Sequence, residues 1–566
     1  MAKRLISILI LTIFYILNCY SQVESSDDLL RKTVAGDGQV RITIPFQGNR
    51  QLNDLSRNLS VSSVKNKKIE IVLSPLTVEW FISQNIKYEI LNKPDPASFL
   101  TSVSKNQLAE WERYPTYTEY DSIMQSFPVL YPSICDIDTI GTSINGRLVL
   151  VLKISDNVSV DEDEPEVFFS STIHGDETAG YILMLRLADY LLKNYNTNYR
   201  IRNLVDNLEI WINPLANPDG TYRTGNTITS PVRFNASGYD LNRNFPDPAT
   251  PNTVKQKETL DMVKFLRKRR FVLSANFHSG AEVVNFPWDS RWWLHADDEW
   301  FYKISRKYAD TVHIYSPAGY MTFLDNGVTN GYDWYSINGG RQDFITWELQ
   351  GREVTIELHD EYVTPESKLD AMWQYNYRSL LGYIENALYG IRGIVKDRDT
   401  GDPVAARIFV TGHDKDSSHV YSDSFTGSFT RMLSPGEWNL KFSARGYLDK
   451  EIENIVAGED ELTLLTVEME PYLNPVDTAD TPGLIIYPNP SEEQITLVLP
   501  ERQFGKVNIM IFNSLGIKMV DINKKAVEDI PIRIDISDLE GGVYILQVRN
   551  STSRMTDRAL FMVVRR

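Results

Sequence analysis

Apolar runs of five to eight residues recur through the middle of this 566-residue chain. Glu166-Val-Phe-Phe-Ser-Ser-Thr-Ile173, Leu208-Glu-Ile-Trp-Ile212, Phe271-Val-Leu-Ser-Ala-Asn-Phe277 and Val354-Thr-Ile-Glu-Leu358 read as strands buried on both faces. Residues 178–194 follow the first of them and set Leu183, Leu187 and Leu191 on one helical face. Strands this apolar leave no face for water. Alternating with helices, they imply an α/β fold in which a central sheet is covered on both sides.

The flanks have a different texture. In residues 22–107, Val40-Arg-Ile-Thr-Ile44 and Lys68-Ile-Glu-Ile-Val-Leu73 alternate as strands, and Ser74-Pro75 opens a short helix through Ile86. This is a small α/β module, and a pro-region role for it stays open. Beyond Gly390, short β runs such as Ala406–Val410 and Trp438–Phe442 are separated by Asp402-Pro403 and Pro435-Gly436 turns, the pattern of a β-sandwich over 390–472. A Pro/Asp/Thr-rich linker at 473–483 leads to a second β unit at 484–566, with Val507–Ile511 and Val543–Val548 as its clearest strands.

A formal net charge of −17 argues against a nucleic-acid partner, because nothing would neutralise phosphates. The only cysteines are Cys19 and Cys135, so no disulfide framework remains if the start is removed. That start reads as a signal peptide over 1–21: Lys3 and Arg4, the apolar Leu5–Leu17, then a small residue at Ser21. Thirteen apolar residues are short for a bilayer, and no later run is long enough for a transmembrane span.

The strand ends carry the chemistry. His174-Gly-Asp-Glu177 follows the first buried strand, and a His and a Glu three apart can turn onto one metal ion. The same two residues also suit a hydrogen-bonded helix start. Of the seven histidines, His278 shares the strand-end position of His174; His295, His313, His413 and His419 sit in polar or loop-like sequence. His359 lies two residues beyond Glu357 and reads as structural. A carboxylate such as Glu357 inside so apolar a strand needs a task or a partner: a general base for water activated by a metal, or a buried salt bridge. Asp240-Leu-Asn-Arg-Asn-Phe-Pro246, with Arg233 upstream, offers the guanidinium and amide donors that hold a free carboxylate.

Six words in order, His174-Gly-Asp-Glu177, Asn217-Pro-Asp-Gly220, Asp240–Pro246, Asn276-Phe-His278, Trp334-Tyr335 and Val354–Leu358, resemble zinc metallocarboxypeptidases of the regulatory branch, that of carboxypeptidases D, E, M and N. The resemblance implies a mixed eight-stranded sheet sandwiched by helices over 108–389, followed by two small all-β sandwich domains. It implies one Zn2+ per chain on His174, Glu177 and His278, with Glu357 as base and Arg233 polarising the scissile carbonyl. Asn242 and Arg243 fall on its carboxylate clamp and Tyr335 on its mobile tyrosine. Asp289, eleven residues after His278, and Gln342, fifteen before Glu357, fall on positions of the branch that prefers C-terminal Lys or Arg. Ser279-Gly280 replaces the usual Gly-Gly, and Trp288 is bulkier than the pattern.

Residues 390–472 resemble the transthyretin-like domain of that branch, through Leu433–Trp438 and Ala444–Tyr447. Residues 484–566 resemble the C-terminal sorting domain of type IX secretion cargo, through Ile486-Tyr-Pro-Asn-Pro490, Asn513-Ser-Leu-Gly516, Gly542-Val-Tyr544 and a basic end. The expectation is a secreted or cell-surface exopeptidase acting on peptides or proteins with a free C-terminus and exported by the type IX machinery. The alternatives are a carboxypeptidase for cell-wall peptides or other C-terminal residues, and an inactive surface binding protein.

Overall fold

The computed structural model describes residues 25–91, 111–160, 162–247, 255–471, 484–500, 503–513, 516–527, 531–551 and 556–565. The expected signal peptide at 1–21, the end of the N-terminal module at 92–107 and the linker at 473–483 lie outside the described residues. The chain divides into two compact units, Met1–Tyr472 and Leu473–Arg566.

The first unit opens with a four-stranded antiparallel sheet, β1 (Val40–Pro45), β2 (Ser60–Lys65), β3 (Lys68–Leu73) and β4 (Glu89–Ile90), in the order β2-β3-β1-β4. Helices Ser26–Asp37 and Asn49–Ser56 contribute Leu30, Val34, Leu52 and Leu55 to its core.

The central sheet holds β5 (Cys135–Thr142), β6 (Leu148–Ile154), β7 (Glu166–Ser171), β8 (Glu209–Asn213), β9 (Phe271–His278), β10 (Ala281–Phe286), β11 (Val328–Asn330) and β12 (Arg352–His359). Their order is β11-β10-β12-β9-β7-β8-β6-β5. Pairing is parallel from β12 through β9 and β7 to β8, and antiparallel at β10–β12, β8–β6 and β6–β5, so the sheet is mixed, as expected.

Alternation within the strands builds two cores. On β7, Val167 and Phe169 join helices Tyr117–Leu130, Ala179–Asn194, Asp298–Tyr315 and Leu369–Glu385 on one face. Phe168 points the other way, to helices Lys257–Leu266 and Arg341–Glu348. Each such side chain contributes about 1.5–3 kcal/mol on leaving water. Because β8, β7, β9 and β12 run parallel, their carboxyl ends share one edge, where ligand sites of open α/β sheets form.

Two further sheets complete this unit: β13 (Gly390–Asp397), β16 (Ser428–Arg431) and β19 (Leu462–Met469) face β14 (Arg407–Val410), β15 (Val420–Tyr421), β17 (Gly436–Ser443) and β18 (Lys450–Ala457). Ile391, Val395 and Val467 meet Ile408, Leu440 and Phe442 between them. A buried ion cluster joins this sandwich to the central sheet: Asp297 accepts from Arg352 at 2.6 Å and from Arg431 at 2.8 Å, and Arg431 also donates to Asp414. Burial pushes the Asp297 carboxyl up, but Arg431 and Arg352 outweigh it and hold the pKa well below the usual range.

The second unit is a sandwich of its own, with sheets β20-β21-β24 (Ile485–Tyr487, Gln494–Val498, Ile532–Asp535) and β23-β22-β25-β26 (Lys518–Ala526, Gly505–Asn513, Gly542–Asn550, Thr556–Val563). Ile495 and Leu497 pack against Ile509, Ile511, Leu546 and Val548.

Candidate metal centre and cleft

His174 lies three residues past the end of β7. The chain turns out of the sheet at Thr172, whose φ of 60° is left-handed, unusual for a β-branched residue. Gly175 is required at the next step: a Cβ there would stand 2.3 Å from the Gly220 carbonyl carbon. The words His174–Glu177 and Asn217–Gly220 are thus two sides of one backbone contact, closed by the Thr221 hydroxyl donating to the Gly175 carbonyl at 2.8 Å. His278 is the last residue of β9, and Glu357 sits directly opposite it on β12.

The structure gathers His174, Glu177 and His278 with their ligand atoms within 4.8 Å of one another. His174 Nδ1 is 2.9 Å from one Glu177 oxygen and His278 Nδ1 is 2.6 Å from the other. The two Nδ1 atoms are only 3.1 Å apart. Two ring nitrogens this close, both turned to one carboxylate, suit a shared cation. All three residues are buried. Burial lowers the His278 pKa to about 4, which keeps the ring in the neutral form that ligates metal. Burial and Arg233 oppose charging His174, yet Glu177 and Asp240 outweigh them and raise its pKa. Two imidazoles, one carboxylate and a cavity alongside fit a catalytic zinc ion.

The surrounding cavity is lined by Arg233, Asn242, Arg243, Ser279, Asn285, Asp289, Tyr335 and Glu357, with the three clustered residues at its wall. Glu357 Oε2 is buried without a hydrogen-bond partner among the described residues. Burial, with Glu177 beside it, pushes its pKa well up, against Arg233 and Lys65. Among the described residues Glu357 makes no salt bridge, so that alternative finds no partner there. Arg233 donates to Glu177 at 3.0 Å and to Asp240 at 2.9 Å. Arg243 lies on the short turn Leu241–Arg243, and the Asn242 side-chain oxygen accepts the Arg341 N–H at 2.9 Å, its amide having no acceptor among the described residues. Tyr335 follows the short helix Gly331–Trp334.

Asp289 is 3% exposed and accepts at 3.0 Å from both Asn285 and Gln342. Burial, then the neighbouring Asp343, raises its pKa to about 8. Gln342 reaches the cavity only through this carboxylate. Trp288 is fully buried against His295, outside the cavity, so its bulk does not narrow the cleft. His295, expected in polar surroundings, is itself buried, accepts the Asp297 N–H and has its pKa lowered to about 3 by burial. His359 accepts the Glu361 N–H and stays out of the cluster.

Three participants escaped the sequence reading as site residues. Asp240 joins His174 and Arg233, Asn285 holds Asp289, and Asp343 receives the N–H groups of Asp289 and Ser290. Asp240 stood in a quoted word; Asn285 and Asp343 carried no local signal.

Residues 120–379 match the zinc carboxypeptidase family, and residues 485–562 match the secretion system C-terminal sorting domain. The human carboxypeptidase N catalytic chain is 32% identical over 395 residues, covering 62% of this chain and 84% of that protein. Human carboxypeptidase D is 34% identical over 348 residues, 58% of this chain; the match spans only 25% of that longer protein. The structure of carboxypeptidase A from Helicoverpa armigera superposes with a TM-score of 0.50 at 20% identity, over 61% of this chain and 97% of that one, and shows the same fold. With its strand-end cluster and a relative covered over most of its length, the chain belongs to the zinc carboxypeptidase family.

Proposed function

We propose that this chain is a secreted zinc-dependent metallocarboxypeptidase that removes the C-terminal residue of peptides or proteins, with Lys or Arg favoured there. The observation that carries the reading is the Glu357 carboxylate standing opposite His278, one of its buried oxygens without a hydrogen-bond partner among the described residues, in a cavity that also holds Arg233, Arg243 and a buried acid.

His174, Glu177 and His278 would hold the zinc ion. When bound, zinc supplies Lewis-acid chemistry, polarising a carbonyl and acidifying water. Glu357 takes the proton of the attacking water and passes it to the leaving amine. Arg233, buried and always charged, stabilises the negative charge that develops on the scissile carbonyl oxygen. The Arg243 guanidinium and the amide of Asn242 hold the substrate's terminal carboxylate. Tyr335 closes over that terminus. Asp289 pairs with a basic side chain, with Gln342 and Asn285 fixing its orientation.

The signal peptide at 1–21 starts export, and the sorting domain directs the chain through type IX secretion to the surface or beyond. The transthyretin-like sandwich props β12 from behind through the Arg431–Asp297–Arg352 cluster.

The test is a ladder of peptides identical except for the last residue, followed by mass spectrometry with and without a chelator. Single-residue trimming that a chelator abolishes is expected. Internal cleavage, or no cleavage by the zinc-loaded chain, overturns the reading.

A further inference from the structure

Three rungs of paired residues run along β9 and β12 toward the cleft: Ser274 opposite Glu353, Asn276 opposite Thr355, and His278 opposite Glu357. Side chains two apart on a strand share a face, so all six stand on one side of the sheet. The last rung holds a residue of the metal cluster and the proposed base. The first lies four residues deeper, about 13 Å away at roughly 3.3 Å per residue.

That deep rung carries a buried charge. Arg341 opens the helix Arg341–Glu348, and both its side chain and that of Glu353 are fully buried. Arg341 Nε donates to one Glu353 oxygen at 3.1 Å and Nη2 donates to the other at 3.2 Å, a two-point fork. Nη2 also donates to the Ala275 carbonyl of β9 at 3.2 Å, and the Ser274 hydroxyl donates to the same Glu353 oxygen at 2.8 Å. One guanidinium is thus keyed to both strands that end in the last rung. Among the described residues no other ion pair joins this helix to β12.

The substrate pocket hangs from this anchor. In the first turn of the helix, the Arg341 N–H donates to Asn242 Oδ1 and Gln342 Nε2 donates to Asp289 Oδ1. Asp343, next in line, accepts the N–H groups of Asp289 and Ser290. The metal cluster is built differently: Glu177 takes its hydrogen bonds from His174, His278, Arg233 and the Ser279 N–H, and among the described residues none comes from this helix.

We propose that Arg341 and Glu353 are positioning residues, whose buried fork fixes where the carboxylate clamp and the side-chain pocket stand relative to Glu357 and the metal cluster. The proposal rests on the carboxypeptidase reading of the cleft. Stability alone does not call for such a pair. Taking two charges out of water is costly, and well-packed apolar residues of similar volume are often as stable or more so. A fork fixes angle as well as distance, which a single ammonium does not. Phe344 and Ile345 also hold this helix on the sheet, but apolar burial is non-directional. A misplacement of about 1 Å away from the chemistry can cost roughly 100-fold in rate.

The experiment uses the zinc-loaded full chain and two variants: Arg341→Lys, and the apolar pair Arg341→Met with Glu353→Leu. Blocked peptides ending in Arg or Leu give kcat, KM and binding by fluorescence anisotropy, beside zinc content and urea unfolding. The apolar pair is expected to keep its zinc and its unfolding midpoint. Its KM and dissociation constant for the Arg peptide are expected to rise about ten-fold or more, with kcat changed far less and the preference for Arg over Leu reduced. Arg341→Lys is expected to shift the same quantities in the same direction by a smaller factor, because one point of the fork remains. A stable apolar pair with unchanged KM, binding and preference overturns the proposal and leaves the fork a stability element only. Should the apolar pair fail to fold, Arg341→Lys decides, and native KM, binding and preference in that variant overturn the proposal equally. If the unmodified chain binds the Arg peptide without trimming it, the hydrolase reading fails and the binding arm alone judges the fork. If it neither binds nor trims, both fall.

Discussion

His174 Nε2 stands 3.0 Å from Asp240 Oδ1, on the ring edge opposite its approach to Glu177, while the other Asp240 oxygen accepts from Arg233 at 2.9 Å. One carboxylate thus orients a ring proposed to ligate metal and positions the guanidinium proposed to stabilise charge on the substrate. Asp240→Asn keeps the shape but removes the charge. Loss of such a partner behind a ligating histidine costs about 10–100-fold in metal affinity. Zinc competition against a chromophoric chelator measures it. Unchanged affinity would show that the contact is incidental to the metal.

Glu357→Gln keeps the hydrogen-bonding shape of the side chain but cannot take a proton. General-base catalysis contributes roughly 10²–10⁴-fold, and turnover is expected to fall by at least the lower figure with zinc content unchanged. Because burial and Glu177 raise the pKa of Glu357, the amide is expected to leave the fold at least as stable as the native chain. Steady-state rates, metal analysis and urea unfolding test the three parts. Near-native rates would remove Glu357 from the mechanism.

The ion cluster at Asp297 gives a stability prediction. Arg431→Met keeps packing volume and removes a buried positive charge from Asp297 and Asp414. Breaking a buried pair from one side costs about 3–5 kcal/mol; Arg352 and His413 remain on Asp297, so the lower end is expected. Denaturant unfolding measures it. A change under 1 kcal/mol would mean the sandwich is not anchored there.

The second unit has its own core, from Ile495 to Val563. Removing 484–566 is therefore expected to leave the first unit's unfolding midpoint and its zinc content unchanged, while the protein stays in the periplasm. Calorimetry and cell fractionation check this. Surface delivery of the truncated chain would contradict the sorting role.

How much of this was legible depended on the range of the cause. Strands buried on both faces announced themselves as apolar runs, so β7, β9 and β12 appear within two residues of where the sequence put them. The cluster at His174, Glu177 and His278 was legible because His278 ends β9 and the turn His174–Glu177 follows β7, and parallel strands bring their ends together. What failed was long-range. Asp343 lies 54 residues from Asp289, and Asp240 meets His174 across 66 residues of chain. The cover that β2 places on the cleft was equally hidden, because its key contacts use the main-chain carbonyls of Val61 and Ser62, which every residue owns.

Asp289 sets the last prediction. Its pKa of about 8 means the carboxyl is largely neutral at pH 6 and largely charged at pH 9. A neutral acid offers a Lys or Arg side chain only a hydrogen bond; the anion offers a charge-assisted pair in a desolvated pocket. Preference for C-terminal Arg over Leu is therefore expected to rise with pH across that window. The ratio of kcat/KM values isolates this effect, since protonation of Glu357 enters both substrates alike. Truncating one partner of a buried charge pair costs roughly 2–5 kcal/mol, so Asp289→Ala is expected to lower kcat/KM for Arg by about 30-fold or more at pH 8 and to flatten the pH trend. Gln342→Ala removes one donor to the anion and is expected to shift the trend to higher pH with a smaller loss. The measurement is kcat/KM from pH 6 to 9 on peptides ending in Arg, Lys, Leu and Glu. If Leu is preferred at every pH, Asp289 does not meet the substrate side chain and the basic specificity fails, while single-residue trimming would leave the exopeptidase reading intact.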